Sequence, residues 1–192
     1  MGTHRHILKT LRSIALDHAN AGHPDLASMA RELGSEVHRD AAALASRLAS
    51  LRKRQQGFER FVLTRRNTPP LSIVVMAWPA NHASPLSDHS DSWGLEMALV
   101  GALEVQSFQA EASSGELILQ GREWLGPGDG LWFERDTRQL RRCRNLSRHE
   151  TALSLHVYGA DLTEHPASGQ ARPAGALIAA PSHRLAASRL HG

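Results

Sequence analysis

The middle of the chain contains the apolar segment Ser72-Ile73-Val74-Val75-Met76-Ala77-Trp78. This segment has the length of a strand, carries no charge and includes three β-branched residues, which is typical of a strand buried on both faces. Further short apolar segments lie around it at 58–63, 95–99, 103–108, 116–119, 130–133, 140–143 and 152–158, separated by Gly, Pro, Asn and Ser. Many short strands separated by turn residues predict a closed or sandwiched antiparallel barrel.

On the N-terminal side of this β region, apolar residues recur at helical spacing and predict three helices, over 7–14, 26–33 and 37–51. Pro24 is expected in the first turn of the second helix, Gly34 directly after its end and Gly57 after the end of the third. We therefore predict that residues 1–56 form helices that pack on a barrel of residues 57–162. Residues 163–192 are rich in Ala, Pro, Ser and His, and we expect a loosely packed tail there.

Composition limits the class of protein. The 192 residues are 41% hydrophobic with a formal net charge of +3, which suits one domain with a substantial core. Arginines occur in pairs rather than tracts and only one tyrosine and four phenylalanines are present, so we expect no nucleic-acid partner. No apolar run has the length of a membrane span, the start has no signal-peptide core, and the single cysteine excludes an internal disulfide. These features predict a cytoplasmic protein without a membrane partner, and leave a monomer and a homodimer both open.

Two glycine and proline frames within the β region resemble the two cupin motifs. The first frame is Ser87-Asp88-His89 followed by Gly94 and Gly101; the second is Gly121, then Pro127-Gly128-Asp129, then Arg141-Arg142-Cys143-Arg144-Asn145. The long spacer between Asp129 and Arg141 is similar to that of the thiol dioxygenases. This resemblance implies an all-β cupin fold, a double-stranded β-helix or jelly-roll barrel, here with an N-terminal α-helical layer.

Further segments narrow the resemblance to the cysteine dioxygenase family of thiol oxygenases. Ser154-Leu155-His156-Val157-Tyr158-Gly159-Ala160 closely resembles the Ser-His-Tyr relay strand of that family, and Phe58-Glu59-Arg60-Phe61-Val62-Leu63 resembles its strand with a substrate-binding arginine. Trp78-Pro79-Ala80-Asn81 and Ser92-Trp93-Gly94 are similar to bacterial members. The resemblance implies that Arg60 binds a carboxylate, that Ser154, His156 and Tyr158 form a proton relay, and that Trp78 lines the pocket.

The chain departs from the family at the metal-ligand positions. The usual ligands are His-x-His from one strand and a histidine from another, and these positions hold Ser87, His89 and Arg141 here. Serine is a poor neutral ligand for iron, and an arginine guanidinium has no lone pair to offer and brings a positive charge. Some family members also crosslink a cysteine to the relay tyrosine, and Gly94 occupies the position of that cysteine. Only His89 keeps the ligand pattern.

Three hypotheses follow. In the first, the protein is a thiol-dioxygenase-like oxidoreductase of cysteine metabolism that oxidises the sulfur of cysteine or a related small thiol carboxylate with O2. Its cofactor would be iron, nickel or another transition metal, held at an atypical site by His89 with His82, Asp88 or His156. In the second, the protein is a metal-free cupin that binds or transforms an anionic metabolite through Arg60 and Arg141. In the third, it is a structural or interaction protein.

Several of these residues also have simpler roles open to them. Arg60 could form an internal ion pair with Glu96 or Glu104. An inward-facing Arg141 would cost several kcal/mol unless it meets an acid, a ligand or water. Cys143 lies two residues from Arg141 on the same strand face, so it could be a reactive thiolate or a small buried apolar residue.

Overall fold

The computed structural model describes residues 3–20, 23–53, 57–88, 91–135 and 139–160. The helices are α1 (Thr3–Ala19), α2 (Leu26–Arg39), α3 (Ala41–Arg47) and α4 (Ala49–Lys53). The strands are β1 (Glu59–Asn67), β2 (Pro70–Trp78), β3 (Ser87–Asp88), β4 (Gly94–Val100), β5 (Leu103–Ala110), β6 (Leu117–Leu125), β7 (Gly130–Phe133), β8 (Leu140–Asn145) and β9 (Ala152–Tyr158). The predicted tail at 163–192, like His89, lies outside the described residues.

The strands form two antiparallel sheets. One sheet has the order β1-β2-β9-β4-β7 and the other has the order β3-β8-β5-β6. Neighbours in a sheet are mostly distant in sequence, as in the pairing of β2 with β9 and of β5 with β8. This is the predicted all-β cupin barrel, and the helices precede it in the chain.

The five-stranded sheet is buried on both faces. Ile73, Val75 and Ala77 of β2 belong to the cluster that packs against the helices, whereas Val74, Met76 and Trp78 belong to the cluster inside the barrel. Successive side chains of a strand point to opposite faces, so one uninterrupted apolar run supplies both cores. The same alternation places Gly94, Glu96 and Ala98 of β4, and Ser154, His156 and Tyr158 of β9, on the barrel side.

The helical layer covers the outer face of this sheet. Leu11, Met29, Leu33 and Leu48 are completely buried there, each contributing roughly 2 kcal/mol of burial free energy. α2 contacts β4 and β7, and α1 and α3 contact the sheet as well. The helices therefore close the outer side of the sheet whose inner side faces the barrel.

Several predicted helix boundaries were wrong. The predicted third helix over 37–51 is divided between the end of α2, α3 and α4. The second helix starts after Pro24, because Asp25 is its N-cap and its carboxylate accepts a hydrogen bond of 2.9 Å from the Ser28 backbone N–H. It also continues through Gly34 to Arg39. A Cβ at Gly34 would lie 2.8 Å from the carbonyl oxygen of Gly128, so glycine is needed there for close helix–barrel contact rather than to end the helix.

The strand prediction was closest where the strands are buried. β2 spans Pro70–Trp78 against a predicted 72–78, whereas β6 spans Leu117–Leu125 against a predicted 116–119. Most of β6 is exposed and polar, so a prediction based on apolar runs missed most of this strand. The described helices include none that combines the length and apolar character of a membrane span.

Candidate functional site

A pocket opens inside the barrel at the end occupied by the predicted site residues. The residues that line it come from both sheets and from the segment before β3; they are Phe58, Arg60, Met76, Trp78, Ser84, Pro85, Leu86, Ser87, Glu96, Arg141, Cys143, His156 and Tyr158. The structure thus brings Arg60, Arg141, His156 and Tyr158 to one cavity although they lie up to 98 positions apart in the sequence. Ser154 is 1% exposed and lies within hydrogen-bond distance of two lining residues, Trp78 and His156.

One wall of the pocket, the relay wall, is a continuous chain of hydrogen bonds from Trp78 to Glu96. Trp78 Nε1 donates to Ser154 Oγ over 2.7 Å, and Ser154 Oγ lies 2.7 Å from His156 Nε2. His156 Nδ1 lies 2.8 Å from the Tyr158 hydroxyl, which donates to Glu96 Oε1 over 3.0 Å. All five side chains are buried. The predicted Ser154, His156 and Tyr158 are therefore consecutive members of one chain.

The two ends of this chain fix the direction of the hydrogen bonds next to them. An indole N–H can only donate and a carboxylate can only accept. Tyr158 gives its proton to Glu96, so its oxygen accepts from His156 Nδ1. Ser154 accepts from Trp78 and also lies within hydrogen-bond distance of His156 Nε2. Both ring nitrogens of His156 are therefore occupied within the protein, with Nδ1–H directed to Tyr158.

Ser87 and Arg141 face each other on the opposite wall. They are direct partners in the antiparallel pairing of β3 with β8, and Ser87 Oγ donates to the Arg141 carbonyl oxygen over 3.3 Å. The Arg141 side chain is only 8% exposed in total, and its guanidinium carbon lies 4.5 Å from the centre of the Phe133 ring. Within the described part of the chain, its Nη1 atom has no hydrogen-bond partner. A buried cation thus occupies one of the usual ligand positions and rests on an aromatic face.

Gly94 lies where these two walls meet. It is opposite both Tyr158 on β9 and Phe133 on β7. A Cβ at Gly94 would lie 2.2 Å from Phe133 Cζ and 2.7 Å from Tyr158 Cδ1. The two rings have taken the space of a side chain, so the position that is cysteine in some family members is filled by aromatic packing here.

Arg60 approaches the pocket from β1. Its guanidinium carbon lies 5.0 Å from the centre of the Phe58 ring, and that ring also contacts Trp78 at 4.8 Å and stacks on His82 at 5.0 Å. Burial lowers the pKa of Arg60 from 12.5 to about 10, and the neighbouring Tyr158 hydroxyl opposes this shift. Arg60 is consequently still a cation at neutral pH.

Glu96 is a pocket residue that the sequence analysis treated only as a possible ion-pair partner. It is 6% exposed, it ends the hydrogen-bond chain, and its Oε1 lies 3.8 Å from His156 Nδ1. The other candidate, Glu104, serves a different site, because its carboxylate pairs with Arg144 at 3.3 Å and Arg122 at 3.9 Å. The alternation of side chains along the strand could have placed Glu96 in the pocket, since Glu96 lies two residues from Gly94 and shares its inward face.

Cys143 and Tyr158 are both held protonated. Burial, together with the nearby Glu96 carboxylate, raises the pKa of the Cys143 thiol well above its usual value. The same two causes, in the same order, raise the pKa of the Tyr158 hydroxyl. Cys143 is 7% exposed, which agrees with a small buried residue rather than with a reactive thiolate.

The described residues do not fit an iron site of the usual kind. At two of the ligand positions they present the Ser87 hydroxyl and the Arg141 guanidinium, which provide no strong donor for the metal. His156 has both nitrogens within the hydrogen-bond chain, His82 stacks on Phe58 and Asp88 is exposed. Within the described ranges, no group of three or more His, Cys, Asp or Glu side chains could hold a metal ion.

The family model described as cysteine dioxygenase type I matches residues 55–167, which is more than half of the chain. The chain belongs to the cysteine dioxygenase type I family. This family membership and the barrel together establish a cupin that resembles the thiol dioxygenases.

Curated relatives match a shorter part of the chain. Cysteine dioxygenase type 1 of Rattus norvegicus is 30% identical over 88 residues, and the match covers 45% of this chain and 44% of the rat protein. Cysteine dioxygenase type 1 of Bos taurus matches with the same identity and coverage. The matched region thus spans less than half the length of either relative.

Solved cupin structures are similar at a lower level. The cupin domain of Schizosaccharomyces pombe Cnp3 has a TM-score of 0.44 and 15% identity, covering 57% of this chain and 69% of that domain. An oxalate oxidase in complex with the substrate analogue glycolate has a TM-score of 0.43 and 14% identity, covering 55% and 52% of the two chains.

Proposed function

We propose that this cupin binds a small carboxylate-type anion in its barrel pocket through Arg60 and Arg141, without a metal ion at the usual ligand positions. The observation that carries the proposal is the buried Arg141 guanidinium. Its Nη1 lacks a hydrogen-bond partner within the described residues, and it lines the same cavity as Arg60. Leaving a guanidinium buried and incompletely bonded costs several kcal/mol, and a bound anion removes that cost.

The chemistry of a guanidinium suits this role. Its planar N–H donors can bind a carboxylate, sulfinate or phosphate oxygen pair bidentately. The Phe58 ring lies below Arg60 and the Phe133 ring below Arg141, and the Nη1 of Arg141 has no hydrogen-bond partner within the described residues. Much of the lining is aromatic or apolar, which lowers the local dielectric constant and strengthens each charged contact.

The hydrogen-bond chain gives this pocket one ordered wall. Since His156 uses both ring nitrogens and Tyr158 donates to Glu96, the relay wall is a rigid surface against which a ligand can be oriented.

A second candidate function is oxidation of the sulfur of cysteine or a related small thiol with O2 at a rearranged iron or nickel site. Family membership and the intact arrangement of Ser154, His156 and Tyr158 favour it. In this case His89 would be the remaining metal ligand, with His82 as a possible substitute for a missing one. The described donor set does not fit a metal, so no reaction step is derived for it.

Metal analysis separates the two functions. Protein purified without chelators or a histidine tag is analysed for transition metals by mass spectrometry, beside His89→Ala and after anaerobic reconstitution with iron. We expect no metal above background and no cysteine-dependent oxygen consumption. Near-stoichiometric metal that is lost in His89→Ala, together with such oxygen consumption, would instead establish the oxygenase.

Anion binding tests the proposal directly. Calorimetric titration with small dicarboxylates should give binding that Arg141→Met weakens by about tenfold or more, which is about 1.4 kcal/mol. The matched control is Arg142→Met, because Arg142 is the next residue of β8 and its side chain is exposed on the opposite face. Equal losses in both variants would mean that general charge, and not the pocket, attracts the anion.

A further inference from the structure

The outer face of the four-stranded sheet is exposed, whereas helices cover the outer face of the other sheet. Val105 and Cys143 point into the barrel, so their sequence neighbours on β5 and β8 point outward. On β6, Trp124 is 68% exposed and Leu119 is 40% exposed. Large apolar side chains that stay exposed beside charged ones are typical of a surface that binds a partner.

Cross-strand pairing arranges this outer face in three rows, each with one side chain from β6, one from β5 and one from β8. Side chains directly opposite one another in neighbouring strands lie on the same face of the sheet. The rows follow one another every two residues along β5 and β8, so they lie about 7 Å apart. We call them the apolar row, the basic row and the tryptophan row, and they consist respectively of Leu119, Phe108 and Leu140; Arg122, Gln106 and Arg142; and Trp124, Glu104 and Arg144.

Glu104 holds two of the three arginines of this face in place. It is 3% exposed, and its carboxylate lies 3.3 Å from Arg144 Nε and 3.9 Å from Arg122 Nη1. Gln106 donates a hydrogen bond of 3.2 Å to the same carboxylate. The side chains of Arg122 and Arg144 nevertheless stay 54% and 51% exposed. The carboxylate therefore lies beneath the surface, while these two guanidinium groups and the exposed side chain of Arg142 lie at it.

We propose that this face binds an extended acidic segment of a partner protein with the pattern apolar-x-acid-x-acid. Every second side chain of an extended segment points the same way, so these three side chains meet three successive rows. The apolar residue packs on the apolar row, and the two acids meet the basic row and Arg144, whose guanidinium groups can bind carboxylates bidentately. Asp88 lies opposite Leu140 at the edge of the apolar row, and its charge disfavours an acid there.

Other occupants match this face less well. A second copy of the same face would place arginines against arginines, and like charges in an interface are costly. A single-stranded nucleic acid gains affinity from successive rings on which its bases stack, and within these rows Trp124 is the exposed ring. An acidic segment with an apolar residue complements both the arginines and the apolar row.

Fluorescence anisotropy of labelled peptides with the full chain tests the pattern. The probe is Ser-Leu-Ser-Glu-Ser-Glu-Ser. The control peptide is Ser-Leu-Ser-Ser-Glu-Glu-Ser, which has the same composition but points its two acids to opposite sides when extended. We expect the probe to bind about threefold more tightly than the control, or better, as is typical of one exposed charge pair. Its binding should weaken as salt is added, because salt screens exposed charges.

Substitutions at exposed positions locate the binding site. Arg142→Met and Trp124→Ala should each weaken probe binding by about threefold or more. Arg39→Met is the matched control, because Arg39 is 72% exposed on α2 of the helical layer and should leave probe binding unchanged. Arg142→Glu should bind Ser-Leu-Ser-Lys-Ser-Glu-Ser more tightly than the original protein does, which would identify Arg142 as the partner of the first acid.

The opposite outcomes overturn the inference. Equal binding of the probe and the control peptide, or equal losses in Arg142→Met and Arg39→Met, would mean that general charge attracts the peptide. Tighter binding of oligouridylate than of the probe would assign the face to nucleic acid, and a dimer that Trp124→Ala dissociates in sedimentation analysis would assign it to a second copy. Absence of probe binding at millimolar concentration would also exclude the acidic segment. Anion binding in the barrel pocket is measured separately and does not affect these outcomes.

Discussion

Two walls of the same pocket satisfy their polar groups in different ways. On β9, each polar side-chain atom of Ser154, His156 and Tyr158 has a partner within hydrogen-bond distance. On β8, the buried guanidinium of Arg141 rests on an aromatic ring, and its Nη1 has no hydrogen-bond partner within the described residues. The first wall is complete without a ligand, whereas the second wall is built around a charge that a ligand would complete.

The β9 wall is therefore expected to stabilise the fold, and the β8 wall is expected to select a ligand. A satisfied buried network stabilises one arrangement of side chains, and removal of one member leaves others unsatisfied. A buried cation with open donors costs stability, so its removal does not weaken the fold. The relay wall is therefore expected to tolerate substitution poorly and the Arg141 wall to tolerate it well.

The largest effect is expected where the two walls meet. Gly94→Ala should destabilise the protein by about 3 kcal/mol, because the new Cβ would lie 2.2 Å from Phe133 Cζ and 2.7 Å from Tyr158 Cδ1. Urea denaturation measures the change. Gly121→Ala is the control, since a Cβ at that strand glycine meets nothing within 4 Å and should change stability by less than about 1 kcal/mol.

A second substitution sharpens the result at Gly94. In Gly94→Ala with Phe133→Leu, the smaller side chain frees space for the Cβ, so the double variant should lose less than the sum of the two single losses. Additive losses, or a Gly94→Ala variant as stable as the original protein, would contradict the packing of the two rings across this glycine.

The relay wall gives the next largest effect. Ser154→Ala removes the acceptor of the Trp78 indole N–H and the donor to His156 Nε2, and both atoms are buried. Two buried polar groups without partners should cost about 2 kcal/mol of unfolding free energy. Ser114→Ala removes an exposed serine that hydrogen-bonds to Glu111, and it should change stability by less than about 0.5 kcal/mol. Indistinguishable denaturation midpoints for these two variants would show that the chain does not stabilise the barrel.

The buried strands could be predicted from the sequence because their patterns are local, whereas Ser154, His156 and Tyr158 were singled out by resemblance to a family strand. The run at 72–78 is apolar along its whole length since both faces of β2 are buried, and Ser154, His156 and Tyr158 share a face because they alternate along one strand. Gly34 was misinterpreted as a helix end because the reason for that glycine is the carbonyl of Gly128, far away in sequence.

Pairings across the barrel were the part that sequence reasoning could not supply. The alternation of side chains along β4 would have placed Glu96 inside the barrel. The sequence does not show that Glu96 accepts a hydrogen bond from Tyr158, 62 positions away. The contact of Arg141 with Phe133 likewise depends on how β7 and β8 approach each other in different sheets. The inward direction of Arg141 and Cys143 was correctly predicted, since both side chains line the pocket.

The smallest effect on stability is expected from Arg141→Met. Methionine keeps the unbranched apolar stem that packs near Phe133 and removes the buried charge, so the free energy of unfolding should stay within about 1 kcal/mol of the original value or rise slightly. The same variant is expected to lose anion binding, and this separation of binding from stability distinguishes the Arg141 wall from the relay wall. A loss of more than about 2 kcal/mol in urea denaturation, without ligand, would mean that Arg141 already has a stabilising partner. In that case both walls would be structural, and Arg141 would not indicate a ligand site.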